Sequence, residues 1–270
     1  MSTATDSGRS TEVIWVTGAA SGIGRALTES LVQEGASVVA SDIDADALAW
    51  AENQPRIATC LCNVSQAADN ERAVATALDR FGTLSGIALN AGVSGAAPID
   101  AADALALLEQ NLAVNLVGVV HGVRAALPAF RQAGGGSITV TASTSGIGGD
   151  PTMWPYNAAK GGVINLVRSL AVELAPENIR VNAVAPGPTV TGMTQGMLDG
   201  GANPVNESLR QRIPMQRWGT AAEPAAAHAW LLSSAASFVT GIVLPVDGGI
   251  TANSGQFDPL GGPAVGGVRP

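Results

Sequence analysis

A tyrosine and a lysine one helical turn apart are the side chains best suited to proton transfer. Tyr156 is the only tyrosine in the sequence, and Lys160 follows it at the i, i+4 spacing that puts both on one helix face. A free tyrosine has a pKa of about 10, and a nearby ammonium group favours the phenolate. The spacing therefore predicts a tyrosine with a lowered pKa that acts as a general acid or base, although such a pair alone is common.

Hydroxyl groups stand just upstream of this pair. Ser143 follows a predicted strand, within the run Thr141-Ala142-Ser143-Thr144-Ser145. Its hydroxyl could polarise a substrate carbonyl while Tyr156 transfers the proton. Chemistry alone does not choose between Ser143 and Ser145, and Ser143 could equally be one of several small loop residues.

A glycine-rich turn near the start of the chain has the form expected of a pyrophosphate site. Gly18, Gly22 and Gly24 follow a short apolar run and open a predicted helix, with the spacing G-x-x-x-G-x-G. Glycines let the backbone approach a phosphate closely, and a helix N-terminus offers unpaired N–H groups. The alternative is a merely tight turn without a ligand, but its position between a strand and a helix favours dinucleotide binding.

An aspartate ends the second predicted strand. A carboxylate at Asp42 can accept hydrogen bonds from both ribose hydroxyls of an adenosine. It would repel a 2′-phosphate, and no arginine stands beside it in the sequence, so NAD is predicted rather than NADP. The alternative is that Asp42 only caps the helix that follows.

Strands and helices alternate along the chain and must position these groups. The apolar strands lack alternation, as in a parallel sheet buried on both faces, so the sequence predicts a single doubly wound Rossmann-type α/β domain with seven parallel strands flanked by helices. The predicted strands are Val13 to Thr17, Ser37 to Ser41, Ile57 to Cys62, Leu84 to Leu89, Gly136 to Thr141, Arg180 to Ala185 and Ile242 to Val246. The predicted helices are Gly22 to Glu34, Ala45 to Glu52, Ala67 to Phe81, Ala104 to Ala129, Pro155 to Leu174 and Ala221 to Ser233.

The flanking segments differ from this domain, which is predicted over residues 12–252. Residues 1–11 are predicted to be a flexible arm, and residues 187–214 a substrate loop after the sixth strand. Residues 253–270, rich in glycine and proline, are predicted to be a tail that is disordered or docked on a neighbouring subunit.

Composition excludes several classes of protein. Charged residues are 13% of the chain, hydrophobic residues 46%, and the net charge is −8 without a Lys/Arg cluster, which disfavours nucleic acid and anionic membranes as partners. The sequence shows no signal-peptide pattern and no long uninterrupted apolar run, so the protein is predicted to be cytoplasmic. Cys60 and Cys62, two residues apart on a predicted strand, point to opposite faces, so reduced thiols are predicted. His121 and His228 are far apart in the sequence, so no metal site is predicted.

Taken in order, the motifs resemble those of the short-chain dehydrogenase/reductase family, over roughly Glu12 to Ala252. The matching motifs are T-G-x-x-x-G-x-G at Thr17 to Gly24, N-A-G at Asn90 to Gly92, N-L-x-G at Asn115 to Gly118, Y-x-x-x-K at Tyr156 to Lys160, P-G at Pro186 and Gly187 with Thr191, and the strand ending Val246 to Gly249. The resemblance implies a catalytic tetrad of Asn115, Ser143, Tyr156 and Lys160, which selects Ser143 over Ser145. Asn115 would bend its helix and hold a water molecule of the proton relay. Lys160 would bind the nicotinamide ribose.

The resemblance also implies how the dinucleotide is bound. The implied contacts are Gly18, Ser21, Gly22, Ile23, Gly24, Asp42, Ile43, Asn63, Val64, Asn90, Ala91, Gly92, Tyr156, Lys160, Pro186, Gly187, Thr189 and Thr191. One departure is Asn63, where the family often has aspartate, and its side-chain oxygen is expected to accept the adenine amine instead. The family is commonly tetrameric, so a homotetramer is expected.

The substrate is predicted to be a small alcohol or ketone. Contacts are expected from Ser143, Ser145, Trp154, Tyr156 and Met193. Trp154, Met193 and Met197 favour an apolar pocket, suited to an aromatic or cyclic ketone. Two alternatives remain: a 3-oxoacyl thioester reductase of the same family, which would be expected to use NADPH and a basic docking patch, and a dinucleotide-sensing protein without turnover.

Overall fold

The computed structural model describes residues 9–198 and 204–254. Residues 1–8 of the predicted arm, part of the predicted substrate loop and residues 255–270 of the predicted tail lie outside this range. Arg9 is only 7% exposed, pairs with Glu12 and Glu34, and donates to the Ala229 carbonyl at 2.6 Å. The packed part of the chain therefore includes Arg9, inside the segment predicted to be a flexible arm.

Seven parallel strands form one sheet, which confirms the predicted fold class. The strands are β1 (Val13–Thr17), β2 (Ser37–Asp42), β3 (Ile57–Leu61), β4 (Gly86–Leu89), β5 (Gly136–Thr141), β6 (Ile179–Pro186) and β7 (Val243–Val246). Their order in the sheet is β3-β2-β1-β4-β5-β6-β7. The order reverses between β1 and β4, so the crevice at their carboxyl ends is where such a sheet binds a ligand.

Helices cover both faces of the sheet. They are α1 (Gly22–Gln33), α2 (Ala45–Leu48), α3 (Ala67–Phe81), α4 (Ala104–Leu112), α5 (Gly118–Ala133), α6 (Trp154–Leu174), α7 (Gln195–Leu198), α8 (Pro204–Arg212) and α9 (Ala222–Leu232). Residues of α1 and α9 pack on one face and those of α3, α5 and α6 on the other, around two separate apolar clusters. Every residue of β1 is buried, as expected for a strand covered on both faces.

Apolar side chains dominate both clusters. Trp15 of β1 is fully buried, and its indole N–H donates to the Ser41 hydroxyl of β2 at 2.8 Å. Cys60 and Cys62 are free thiols buried in the same cluster, in line with the predicted reduced state. A thiol buried there is a poor nucleophile, because burial raises the pKa of Cys62 to about 12.

The helix predicted from Ala104 to Ala129 is longer and irregular. A π-helical segment, Ala113–Val117, separates α4 from α5. The whole stretch Ala104–Ala133 has the length and apolar composition of a membrane-spanning helix, with a mean hydropathy of 1.4. Its two halves pack against α6 and α3 of the same domain, as core helices of a globular fold do.

The predicted substrate loop contains more regular structure than expected. α7 and the described part of α8 lie within it, and the two residues Thr189–Val190 pair in parallel with Gly219–Thr220. This small pairing ties the start of the loop to the segment before α9. The loop therefore leaves β6 in a fixed direction.

Candidate active site

The turn between β1 and α1 is packed so closely that it has no room for side chains. Gly18 has a φ of +67°, and a Cβ on it would lie 2.9 Å from Ala91 Cα. A Cβ on Gly24 would lie only 2.1 Å from the Gly18 carbonyl oxygen. The Thr17 hydroxyl accepts hydrogen bonds from the backbone amides of Asn90 and Ala91, at 2.9 and 3.0 Å. The turn is thus fixed to the end of β4, where Asn90, Ala91 and Gly92 begin the next loop.

The N-terminus of α1 fits an anion. Ser21 precedes the helix in an extended conformation and makes no side-chain capping bond, so the first helical amides, at Gly22, Ile23 and Gly24, are not capped by it. The positive end of the helix dipole lies at the same place. Together with the cradle of glycines, this geometry matches the requirements of a pyrophosphate group.

The loop after β6 lies against this turn. A Cβ on Gly22 would be 3.2 Å from the Thr191 side chain. Gly187 is as confined, because a Cβ there would lie 2.8 Å from Asp247 Cβ. Thr189 bonds back to the Gly187 carbonyl, which follows Pro186 at the end of β6. Of the positions predicted on this loop, Thr191 therefore lies against the glycine turn, whereas Gly187 packs against the end of β7.

Asp42 is held at the edge of the site by backbone amides. One carboxylate oxygen accepts from Ala20 of the glycine turn at 3.0 Å, and the other from Ile43 at 2.8 Å. The alternative role, as a helix cap, belongs instead to Asp44, whose carboxylate accepts from the Ala47 amide at 2.9 Å. Because the second oxygen also accepts from the Asp44 amide at 3.2 Å, the lone pair left for a ligand lies on the oxygen bonded to Ala20.

Asn63 is already engaged. Its side-chain oxygen accepts from both the amide and the hydroxyl of Ser65, at 3.1 and 2.8 Å. A carbonyl oxygen has two lone pairs. A bond from this oxygen to an adenine amine would compete with Ser65, and it stays a prediction.

The predicted tetrad is assembled at the carboxyl end of β5. Tyr156 and Lys160 lie on the same face of α6, with the ammonium nitrogen 5.7 Å from the centre of the tyrosine ring. Lys160 is 3% exposed, and its Nζ donates to the Thr141 carbonyl at 2.7 Å. Burial lowers the pKa of Lys160 to about 8, so its charge is sensitive to whatever binds nearby.

The pKa of Tyr156 is set by its surroundings in the protein without cofactor. Burial raises it above its ordinary value, hydrogen bonding with the Ser143 hydroxyl lowers it, and the charge of Asp150 raises it. Tyr156 is therefore a phenol at neutral pH, ready to donate its proton. The lowered pKa was expected from Lys160 together with the positive nicotinamide ring, and for that cofactor-bound state it stays a prediction.

The structure separates the two candidate serines. Ser143 is 8% exposed, its hydroxyl accepts from the Ser145 amide at 3.1 Å, and it is the serine whose hydroxyl lowers the pKa of Tyr156. The Ser145 hydroxyl instead donates to the Asp150 carboxylate at 2.6 Å. Ser143 is therefore the serine able to share a substrate oxygen with Tyr156.

Asn115 lies in the π-helical segment and is fully buried. Its amide nitrogen donates to the Val93 carbonyl at 2.8 Å and to Asn111 at 3.0 Å, while its oxygen accepts from the Val93 amide. The side chain thus fixes the loop after β4, and both N–H groups are used within the chain. The bend is present as expected, whereas a relay water held by Asn115 stays a prediction.

An open cavity lies beside the loop after β5, next to the predicted substrate contact Ser145, whose hydroxyl bonds to a residue of its lining. This cavity of about 280 Å³ is lined by Thr144, Ile147, Gly148, Gly149, Asp150, Ile250 and Thr251. Met193 is 52% exposed, and the indole of Trp154 is anchored to the Ala97 carbonyl at 3.0 Å. The side chain of Met197 lies outside the described residues. Sequence reasoning missed Asp150, which only the path of the loop after β5 brings next to Ser145 and Tyr156.

Comparisons with known proteins agree with this geometry. A family model described as enoyl-(acyl carrier protein) reductase matches residues 18–251. 2-(S)-hydroxypropyl-CoM dehydrogenase 3 of Xanthobacter autotrophicus is 38% identical over 248 residues, covering 89% of this chain and 97% of that protein. 2,5-Dichloro-2,5-cyclohexadiene-1,4-diol dehydrogenase of Sphingobium indicum is 38% identical over 244 residues, covering 89% and 97%. The chain belongs to the short-chain dehydrogenase/reductase family.

A solved structure of this family extends the comparison. The 3-ketoacyl-(acyl-carrier-protein) reductase of Brucella melitensis, complexed with NADH, matches with a TM-score of 0.81 and 31% identity, covering 89% of this chain and 98% of that one. As a short-chain dehydrogenase/reductase, this chain is an oxidoreductase that uses a nicotinamide dinucleotide and acts on a small molecule, rather than a dinucleotide sensor without turnover.

Proposed function

We propose that this enzyme interconverts a secondary alcohol and a ketone with NAD as its cofactor, on a neutral substrate built on a ring. The observation that carries the proposal is the meeting of Ser143, Tyr156 and Lys160 at the end of β5, next to the glycine turn that fits a pyrophosphate.

The chain's own residues divide the chemistry between them. The nicotinamide, when bound, supplies or accepts the hydride. Tyr156 donates its proton to the carbonyl oxygen during reduction and takes it back during oxidation, while the Ser143 hydroxyl holds the same oxygen. Lys160, with a pKa of about 8, favours the phenolate when it is charged and provides a donor for the nicotinamide ribose.

Two charged side chains support NAD over NADP. The Asp42 carboxylate is fixed by the Ala20 amide where ribose hydroxyls are expected, and it would repel a 2′-phosphate. Arg25 lies nearby, stacked 4.7 Å from the Trp50 ring, but its guanidinium pairs with Glu29 at 3.0 Å. The relative solved with NADH is consistent with this preference.

The substrate side supports a neutral molecule. Asp150 places a negative charge at the open cavity, which disfavours carboxylates and phosphates. Ile147 and Ile250 supply apolar surface in the same cavity, while Thr144 and Thr251 can hydrogen-bond a second hydroxyl group. The relative named for a cyclohexadiene diol makes a cyclic alcohol the first class to test.

A 3-oxoacyl thioester reductase is the second candidate. One structural relative carries that name and was solved with NADH, so cofactor preference alone does not separate the two. A basic docking patch for an acyl carrier would be needed, yet Arg210 and Arg217, which flank the described loop, pair with Glu207 and Glu223. This weakens the thioester alternative.

The assembly and location that we propose are a homotetramer in the cytoplasm. Leu105 and Val117, on the α4–α5 side, are 71% and 42% exposed and offer apolar surface for contact with a partner subunit. Light scattering of the purified protein tests the assembly.

The deciding experiment follows absorbance of the reduced cofactor while the enzyme acts on cyclic and linear secondary alcohols, with NAD and then NADP. We expect NAD reduction with cyclic alcohols. Reduction with NADP alone would contradict the role of Asp42. The control is Tyr156→Phe, which should lose turnover by at least about a thousandfold and still bind NADH, since it lacks only the acidic proton.

A further inference from the structure

A histidine that the catalytic scheme does not use lies behind the active site. His228 of α9 is fully buried, and its Nε2 is 3.0 Å from the hydroxyl of Thr141 on β5. Its Nδ1 has no hydrogen-bond partner within the described part of the chain. The Thr141 carbonyl also accepts the hydrogen bond from Lys160 Nζ. Thr141 therefore connects His228 with the tetrad.

The direction of each hydrogen bond in this network can be deduced. The Asn90 amide nitrogen donates to the carbonyls of Thr17 and Gly18, at 3.1 and 3.4 Å. Its oxygen can only accept, so the Thr141 hydroxyl donates to it at 2.9 Å. A hydroxyl has one proton, and Thr141 must therefore accept from His228 Nε2–H.

The tautomer of His228 is fixed by the same argument. With the proton on Nδ1, a buried N–H would have no acceptor, and Nε2 would draw the Thr141 proton away from Asn90. Burial and the charge of Lys160 lower the pKa of His228 to about 3, so the ring is neutral at working pH. One arrangement of protons then satisfies Thr141 and Asn90 together.

We propose that His228 is a positioning residue for cofactor binding, acting through Thr141 and Asn90 on the glycine turn. Its Nε2–H directs the Thr141 hydroxyl to Asn90, and this directs the Asn90 amide nitrogen to the carbonyls of Thr17 and Gly18. The turn is thereby held in the shape that receives the pyrophosphate. This inference rests on the proposed binding of the dinucleotide at that turn.

The test compares variants that keep or remove the donor. His228→Leu removes it, and His228→Gln restores an N–H close to the position of Nε2. We expect His228→Leu to raise the Kd for NADH about fivefold, the effect of one lost neutral hydrogen bond, with the alcohol KM at saturating NAD unchanged. His228→Gln should stay within about twofold of the natural protein.

A control on the same strand and helix isolates the effect. Ser137, on β5, bonds to the Leu231 carbonyl of α9 at 3.2 Å, away from the glycine turn. Ser137→Ala should leave the Kd for NADH unchanged. If His228→Leu acted only by loosening the packing of α9 on the sheet, Ser137→Ala would raise the Kd as well. If His228→Leu does not fold, Thr141→Val removes the hydroxyl from the other end of the bond and should raise the Kd similarly.

Three results would overturn the inference: an unchanged Kd in both His228→Leu and Thr141→Val, a Gln variant as weak as the Leu variant, or an equal rise in Ser137→Ala. If the natural protein itself fails to bind NADH, the proposed cofactor site fails with it. Normal NADH binding that is insensitive to these variants rejects only the role of His228.

Discussion

The two halves of the active site are built differently. On the cofactor half, Gly18 and Gly24 pack against backbone atoms at distances that leave no space for a methyl group, and Asn90 and Thr17 lock the turn to β4. On the substrate half, a Cβ on Gly148 would meet nothing within 4 Å, and Met193 is half exposed. The cofactor half is fixed by close backbone packing. The substrate half is lined by side chains that can be replaced without disturbing the fold.

This contrast shows where cofactor and substrate specificity reside. A close-packed turn made of backbone atoms recognises the part of the ligand that all dinucleotides share. Loops at the carboxyl ends of the strands carry the groups that distinguish one substrate from another. Substitutions should therefore act strongly and uniformly on the first half, and weakly and selectively on the second.

The largest effect on cofactor binding is expected when a single methyl group is added to the glycine turn, and the same change in the substrate half serves as its control. Gly24→Ala would put its Cβ 2.1 Å from the Gly18 carbonyl oxygen, so the turn must move. We expect loss of NADH binding by more than about a hundredfold, since such overpacking distorts the whole anion site. The matched change Gly148→Ala should leave the Kd unchanged; calorimetric titration measures both. Equal losses of NADH binding in Gly24→Ala and Gly148→Ala would contradict the difference between the two halves.

The next effect tests charge at the outer edge of the cofactor half. Asp42→Ala removes a carboxylate that would bond the ribose hydroxyls and repel a 2′-phosphate. The ratio of kcat/KM with NAD to that with NADP should fall by about tenfold or more, because hydrogen bonds to a charged group contribute about 1.5–3 kcal/mol. Arg25→Ala serves as the control and should not favour NADP. An unchanged ratio in Asp42→Ala would assign the preference to other residues.

The sequence predicts the cofactor half better than the substrate half. The bounds of β1 and β5 agree with the prediction, because an apolar run ended by glycine or small residues is a local signal. The glycine spacing and the Tyr156–Lys160 pair are local too. The choice of Ser143 over Ser145 was not available from chemistry, since it depends on which hydroxyl the loop after β5 turns toward Tyr156.

Contacts made over long distances in the chain could not be predicted. His228 and Thr141 are 87 residues apart, and only the packing of α9 on the sheet joins them. The engagement of Asn63 by Ser65, although local, leaves no periodic pattern in the sequence, and the bend at Asn115 was expected only from the family resemblance. The burial of Tyr156 and the charge of Asp150, which both raise the pKa of Tyr156 in the protein without cofactor, could not be predicted from the spacing that revealed Lys160.

A smaller effect is expected where the substrate half touches the chemistry. Asp150 raises the pKa of Tyr156, so Asp150→Asn should lower it. Alcohol oxidation needs the phenolate and is lost as pH falls through this pKa; its acidic limb should therefore move to lower pH. At the optimum, turnover of a neutral alcohol should change by less than about threefold, whereas an alcohol carrying a carboxylate should gain relative to it. An unchanged acidic limb in the pH–rate profile of Asp150→Asn would contradict the influence of Asp150 on Tyr156.

The smallest effect is expected from Met193→Ala, which tests whether the loop after β6 contacts the substrate independently of the cofactor. Met193 is 52% exposed, so it can give up only part of the roughly 1.5–3 kcal/mol that full burial of such a side chain contributes. Met193→Ala should raise the KM of an apolar cyclic alcohol by about two- to fivefold and leave the Kd for NADH unchanged. Thr191, two residues earlier, contacts Gly22 of the cofactor half. A parallel rise in the Kd for NADH would therefore mean that the loop moves as one unit and that substrate contacts help to close the dinucleotide site.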